Sequence, residues 1–328
     1  MTSGKGQAKE MGYSKLGILI VVVLLMPALA RSESPLLLSE LPRPGGGVRL
    51  EFESEHRPVP IRRYQLISER ACGNNIQAVV RHPDGKRSDA RIEANQENRV
   101  SFKTPFGDGP QHGVHTLYVV NTQVVERRLV IRIAKWHTIH HSCGWGHAFK
   151  FDPQKIRVPA METVPLEISC DGLWDRNLHA KLQSGDFLTC RVLQSGNPLP
   201  GAEIRLTSGR GWSKTVHTDD GGKAVFQLIR DYYTTDWNSF DRRHRERFTI
   251  VAEHAVRQSG LYDGREYDRI VYITSMPWTY SPSRTEYASY SAGLWVGVFS
   301  LAMGVGGIYF YRQRRSRPCR SVVFSEKD

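Results

Sequence analysis

Apolar and polar residues alternate along most of this chain with a period of two, the spacing that puts successive side chains on opposite faces of a strand. Short alternating segments at 48–53, 63–67, 76–80, 99–103, 116–120 and 124–133 predict strands, and no apolar face there recurs every 3.6 residues. The breaks carry turn chemistry, with Pro83-Asp84-Gly85 after one segment and Gly107-Asp108-Gly109-Pro110 before another. Residues 48–136 are therefore expected to form an antiparallel β-sandwich. The pattern resumes at 149–158, 164–169, 186–193, 202–206, 215–218, 224–229 and 270–274, which predicts a second sandwich over 147–276. The expected fold class is all-β: two tandem immunoglobulin-like or prealbumin-like β-sandwich domains plus one C-terminal transmembrane helix.

Two apolar runs break the alternation. Near the N-terminus, Lys5, Lys9 and Lys15 precede an apolar stretch at 16–26, and Ala28-Leu29-Ala30 follows it. Basic region, short apolar core and small-x-small site together read as a secretory signal peptide over 1–30. Residues 31–47, with Pro35, Pro42, Pro44 and Gly45-Gly46-Gly47, read as a flexible lead-in. The second run, from Ala292 to Tyr311, carries no charge and is long enough as a helix to cross a bilayer. Arg312, Arg314, Arg315, Arg317 and Arg320 follow at once. By the positive-inside rule the tail 312–328 stays cytoplasmic and the preceding residues lie outside, in a single-pass topology with a periplasmic ectodomain. Trp278, Tyr280, Tyr287, Tyr290 and Trp295 mark the outer boundary, and Tyr309 and Tyr311 the inner one. Residues 277–291, with Pro277 and Pro282, read as a stalk. Gly293-x-x-x-Gly297 and Ser300-x-x-x-Gly304 would let a second helix approach closely in a helix–helix dimer.

This topology changes the meaning of the charge. The chain carries +12, of which the tail (six basic, two acidic) and residues 1–30 (three basic, one acidic) hold +4 and +2, leaving +6 outside. Nucleic acid is thereby disfavoured as a partner, and a mild attraction to anionic lipid or an acidic protein remains. Cys72, Cys143, Cys170 and Cys190 face the oxidising side, where three disulfide pairings are open, and Cys319 lies in the tail.

Within the second segment, Gly196-Asn197-Pro198-Leu199-Pro200-Gly201-Ala202 and Thr218-Asp219-Asp220-Gly221 follow the order strand, G-x-P-x-x-G-A, strand, D-x-G turn, strand. This resembles the prealbumin-like or carboxypeptidase-regulatory type of sandwich, a fold that serves many functions. With His147-Ala148-Phe149 at its start and Gly264-Arg265-Glu266-Tyr267-Asp268 before its last strand, 147–276 also resembles an extracytoplasmic β-sandwich family of unknown function that accompanies nickel and cobalt uptake. In that family the histidine opens the mature chain, whereas here a whole segment precedes it. The resemblance implies metal handling beside a membrane transporter.

The residues themselves point the same way. Residues 136–147, W-H-T-I-H-H-S-C-G-W-G-H, hold four of the twelve histidines and one of the five cysteines, in the junction 137–146 and the residue after it. Imidazole and thiolate suit Ni, Co, Cu or Zn. On a straight strand His137 and His141 lie roughly 13 Å apart, too far to share an ion. A turn at Gly144 and Gly146 would fold Cys143 and His147 back toward His140 and His141. The expected metal ligands are His137, His140, His141, Cys143 and His147. The alternative is a disulfide at Cys143 with surface histidines around it. His112 and His115 beside Asp108, and Asp171, Asp175 and His179 around Trp174, are further donors expected in loops. The insert Asp231 to Arg247 mixes aromatics with arginines and reads as a loop packing its own aromatics or docking a partner. Cys143 activated by a histidine, with Asp152 orienting it, is the nucleophilic arrangement available. No Gly-x-Ser-x-Gly elbow, His-Glu-x-x-His helix or P-loop occurs, so no enzyme is expected. The expected function is a membrane-anchored metal-binding protein for uptake or delivery, partnered by a transporter or membrane metalloenzyme. The other reading is a non-enzymatic scaffold or interaction subunit of a membrane complex.

Overall fold

In the computed structural model, residues 33–41, 50–53, 57–69, 75–93, 98–104, 113–140, 158, 160–174, 180–231, 245–316 and 324–326 are described. Met1–Ser34 forms one unit and Pro35–Asp328 another, and the second holds every described strand and the helix. The signal segment 1–30 lies outside the described residues, as do Cys72, Cys143 and Cys319.

The alternating segments within the described residues become strands, and the one expected at 149–158 lies almost wholly outside them. The first half supplies β1 (Leu37–Glu40), β2 (Leu50–Glu53), β3 (Arg57–Ile67), β4 (Ile76–Arg81), β5 (Arg87–Asp89), β6 (Arg91–Glu93), β7 (Arg99–Lys103), β8 (Gly113–Val125) and β9 (Arg128–His140). The second half supplies β10 (Leu166–Cys170), β11 (Phe187–Gln194), β12 (Asn197–Pro198), β13 (Glu203–Ser208), β14 (Ser213–His217) and β15 (Lys223–Gln227). It ends with β16 (Glu246–Val256), β17 (Gly260–Tyr262), β18 (Arg265–Tyr267), β19 (Arg269–Tyr280) and one helix, α1 (Arg284–Arg315). β1 falls in the expected lead-in, where Leu36 and Leu38 are buried. An apolar pair one strand period apart is enough to dock a short edge strand on β3.

Turn chemistry closes the hairpins. Ser195-Gly196 and Asp263-Gly264 take positive φ between paired strands, as the twist-matched two-residue turn demands. Glu126 (φ 48°) and Arg127 (φ 61°) do the same between β8 and β9. The segment expected at 124–133 is therefore the end of one long strand and the start of the next. In the G-x-P-x-x-G-A hairpin, the Thr218 hydroxyl accepts from Ala202 N–H (2.9 Å) and donates to Leu199 O (2.6 Å). Asp219 Oδ1 accepts from the N–H groups of Gly221 and Lys223 at 2.9 and 2.8 Å.

An eight-stranded sheet in the order β14-β13-β16-β19-β9-β8-β4-β5 runs through both halves. Its seam is the parallel pairing of β9 with β19, from Arg128↔Arg269 to Ala134↔Ser275. A smaller sheet, β1-β3-β7-β6 with β2 on β3, covers one face of the seam, while β10, β11 and β15 cover the other. Neighbouring residues divide between two cores. Leu117, Val119 and Ala134 pack toward the β1-β3-β7-β6 layer, whereas Tyr118 and Ile133 join Leu166, Ile168, Leu188 and Phe226. The two sandwiches expected as separate tandem units therefore share one sheet. β9 runs to His140, through the expected boundary at 136. The physical reason is that β4, β8 and β9 are covered on both faces, so each core needs the same strands.

Polar groups enforce this double cover. Lys135 and Glu167, each 1% exposed, meet at 2.6 Å, and Lys135 Nζ also donates to Ile168 O at 2.7 Å. Glu167 further accepts from the Tyr118 hydroxyl and from Met161 N–H, each at 2.6 Å. Burial, then the Glu167 charge, pushes the Tyr118 phenol well above its ordinary range, so it stays a donor. Cys170 and Cys190 stand directly opposite on β10 and β11 and form a disulfide.

At the C-terminus, α1 has 32 residues, and its part Gly293–Arg315 is the described helix long and apolar enough to cross a membrane. The expected stalk at 277–291 is instead the end of β19 and the first turns of α1, with three residues, Ser281–Ser283, between them.

Candidate functional site

The His-rich stretch begins as the last turn of the pleat in β9. Trp136 faces the first core, its ring centroid 5.5 Å from that of Tyr64. His137 faces the other way, 5.5 Å from Trp174 and 6.2 Å from Trp278 in edge-on contacts, with Nδ1 2.9 Å from the Thr116 hydroxyl. Burial, then the Lys135 charge, holds its imidazole well below the ordinary histidine range, so it is neutral. A neutral imidazole is the ligating form, but this one is enclosed by two indoles and engaged with a hydroxyl. His137 would have to leave that packing to join an ion. His140 ends β9 opposite Gly113, while its side chain and all of His141, Cys143 and His147 lie outside the described residues. Among the described residues, no group of three or more His, Cys, Asp or Glu is arranged to hold a metal ion.

The flanks of the junction do meet one feature. A cleft of about 1000 Å³ lies where β4 and β8 face the disulfide end of β10 and β11. Arg81, Asp84, Asp171, Trp174 and Arg191 line it. Val114, which pairs with Ile139 near the end of β9, also lines it, as do Val158 and Ala160 on the far side of the junction in sequence. Aspartate, guanidinium and an indole face give the cleft a mixed polar lining that suits a charged ligand or a peptide.

Of the other expected donors, Asp171 lines the cleft, and Asp175, His179, His112 and Asp108 lie outside the described residues. His115 is a correction: it is not in a loop but in β8, fully buried, with Nδ1 2.9 Å from Nδ1 of His82. His82 Nε2 is 2.7 Å from the Ser88 hydroxyl, and burial lowers its proton affinity, partly opposed by Asp84. Strand alternation around 76–81 and 116–120 carries no hint of this pair, because the contact joins the turn after β4 to β8, with His115 beside Phe102 of the first core.

β9 and β19 run parallel, so His137 lies level with Trp278, six residues before α1 begins. The junction thus leaves the sheet at the end of the β domain from which the helix departs. The insert between β15 and β16 starts and finishes at the same end, since Glu246 pairs with Tyr280, while 232–244 lies outside the described residues.

No family model matches this chain, and no curated protein matches it. Three solved structures share partial likeness. A tetra-tandem repeat from the extending region of a large adhesion protein is 11% identical over 75% of this chain and 49% of that one, with a TM-score of 0.21. A DUF4785 family protein from Legionella pneumophila is 11% identical over 59% and 47%, with a TM-score of 0.19. A Salmonella alpha-2-macroglobulin reacted with methylamine is 13% identical over 69% and 14%, with a TM-score of 0.19. The chain spans half or less of the length of each, and likeness at this level establishes neither fold nor function.

Proposed function

We propose that this chain is a single-pass, extracytoplasmic scaffold or interaction subunit that holds a β domain at a set height above the bilayer. The observation that carries this reading is the short, bonded connection between β19 and α1. Ser281 N–H donates to Leu182 O at 3.0 Å, Ser184 N–H to Ser281 O at 2.9 Å, and Ser283 N–H to the Ser184 hydroxyl at 3.1 Å. A domain tied this way transmits the position of its helix, whereas a flexible linker would let it swing. The Cys170–Cys190 disulfide suits an oxidising compartment, and the arginines in the last turn of α1 suit a cytoplasmic end. Both support the outside placement of the β domain, built as two sandwich-like halves around one sheet.

The second reading is capture or delivery of Ni, Co, Cu or Zn by His140, His141, Cys143 and His147, with His137 as a substitute, beside a transporter or metalloenzyme. It is favoured by the junction leaving β9 at the end of the β domain from which α1 departs, next to a cleft of mixed polar and apolar lining.

One set of membranes tests both. Inserting ten Gly/Ser residues after Ser281 is expected to dissolve the native complex on blue-native gels while the chain stays in the membrane. A complex unchanged by the insertion, or a wild-type chain that migrates alone, refutes the scaffold. For the metal reading, the full chain in nanodiscs is expected to retain one ion per chain, lost when His140, His141, Cys143 and His147 become Ala. No bound metal in the wild type refutes it.

A further inference from the structure

Backbone pairing gathers several basic residues at the end of the β domain where α1 leaves. Tyr280 pairs with Glu246, which sets the start of β16 there. β13 pairs antiparallel with β16, and Gly209 N–H donates to Arg247 O at 2.7 Å, which adds the turn between β13 and β14. The bonds from Ser281 to Leu182 and from Gly185 to Leu228 add the start of β11. Lys181, Arg210, Arg245 and Arg247 are exposed on these segments, and Phe187 is 70% exposed among them.

The described acids on these segments are turned to internal use. Asp186 accepts from Gln183 N–H at 2.8 Å, Asp231 accepts from the Ser208 hydroxyl, and Glu246 pairs with Arg210 at 3.8 Å. Among the described residues of these segments the outward balance is positive, beside an exposed aromatic ring, a combination that fits an anionic interface.

Height decides whether a bilayer is within reach. Nine residues of α1, Arg284 to Ala292, precede the apolar span that begins at Gly293. They rise about 13 Å as a helix. The headgroup layer takes up about 5–8 Å of that. The remaining gap is one that a lysine or arginine side chain bridges, and helix tilt closes it further.

We propose that this end of the β domain docks on the anionic phospholipid surface of the bilayer that α1 spans. Lys181, Arg245 and Arg247 would contact headgroup phosphates, and Phe187 would enter the interface. The proposal shares with the proposed function only the anchoring of α1, and needs neither a protein partner nor a metal.

The test is hydrogen exchange on the full chain in nanodiscs of phosphatidylglycerol mixed with phosphatidylcholine, against phosphatidylcholine alone. Peptides covering 181–188 and 245–250 are expected to exchange roughly tenfold more slowly in the anionic discs, since each basic residue at such a surface adds about a factor of five. The protection is expected to vanish when salt rises from about 0.1 M to about 1 M, which shortens screening from about 10 Å to about 3 Å. It is also expected to vanish in Arg245→Glu/Arg247→Glu, with exchange across Ile76–Arg81 unchanged as the check on folding. Equal exchange in both discs overturns the proposal, and so does protection that needs a co-purified protein. Exchange at 293–311 keeps the premises separate: a span unprotected in both discs defeats the shared anchor and the docking with it, whereas a protected span with equal exchange at 181–188 and 245–250 overturns the docking alone.

Discussion

Replacing Glu167 by Gln changes almost no volume and removes one charge from a place where water cannot answer for it. The carboxylate takes three hydrogen bonds, from Lys135, Tyr118 and Met161 N–H, and both members of the ion pair are 1% exposed. In Glu167→Gln the ammonium of Lys135 keeps Ile168 O as an acceptor but loses its counter-charge. One amide orientation also sets its NH₂ against Met161 N–H, donor against donor. Stranding a buried charge this way costs about 3–5 kcal/mol. At about 2–4 °C per kcal/mol for a domain of this size, Tm is expected to fall by roughly 6–20 °C. Adding Lys135→Met removes the stranded charge, so the double variant is expected to be more stable than Glu167→Gln alone. The assay is thermal unfolding of the full chain in detergent, followed by far-UV circular dichroism for the two singles, the double and the wild type. If Glu167→Gln lowers Tm by less than about 3 °C, or the two single effects simply add, the pair is not the staple between layers described above.

Two smaller expectations use the same assay. Gly222 has φ +69°, and a Cβ there would meet Val192 O at 2.8 Å and Leu199 N at 2.9 Å, so Gly222→Ala is expected to cost at least the 1–3 kcal/mol typical of backbone strain. Gly221→Ala, whose Cβ would first meet Asp219 Oδ1 at 3.4 Å, is expected to cost far less, and equal losses would refute the steric account. His137 stays neutral when folded because burial depresses its proton affinity, while the unfolded imidazole takes up a proton below about pH 6.5. Its contribution is thus fully present above that pH and is lost as pH falls toward the folded value, by about 1.4 kcal/mol per pH unit. His82 adds in the same direction. Tm is expected to fall from pH 7 to pH 5, less steeply in His137→Gln, and parallel slopes would contradict the assignment.

Strands were legible wherever one chemical rule decided them. β7 begins and ends where its alternation does, Ser195-Gly196 closes the β11–β12 hairpin, and Asp219-Asp220-Gly221-Gly222 turns the chain from β14 in one sheet to β15 in the other, each by turn chemistry that any partner would accept. The joining of the two halves was not legible, because it depends on partners far away in the chain. Lys135 lies beyond the strand expected at 124–133, and His137 lies in the expected junction 137–146. Glu167 and the Trp174–Trp278 pair, about 30 to 140 residues on, turn them inward and make β9 a strand covered on both faces. Polar residues in a doubly covered strand imitate exposure until their partners are known. β16 was missed for a related reason, since Phe248, Ile250 and Ala252 alternate behind a charged lead that reads as loop.

The candidate site shows the same division, and the cysteines turn it into a measurement. Density of imidazole and thiol marked 137–147, but density does not separate a ligand from a core histidine, and His137 belongs to the core. Cysteine spacing left three pairings open. Cross-strand register fixes one bond, since Cys170 and Cys190 face each other on β10 and β11. Of five cysteines, Cys72, Cys143 and Cys319 then remain. Cys143 as a metal ligand requires a free thiol, and Cys72 then has no disulfide partner outside the membrane, so both stay reduced. Cys143 in an intrachain disulfide requires Cys72 as its partner. Thiol labelling of the denatured, unreduced, monomeric chain is therefore expected to return three groups if Cys143 serves a metal and one if it serves the fold. A count of one removes the thiolate from the ligand set and leaves imidazoles alone to hold an ion.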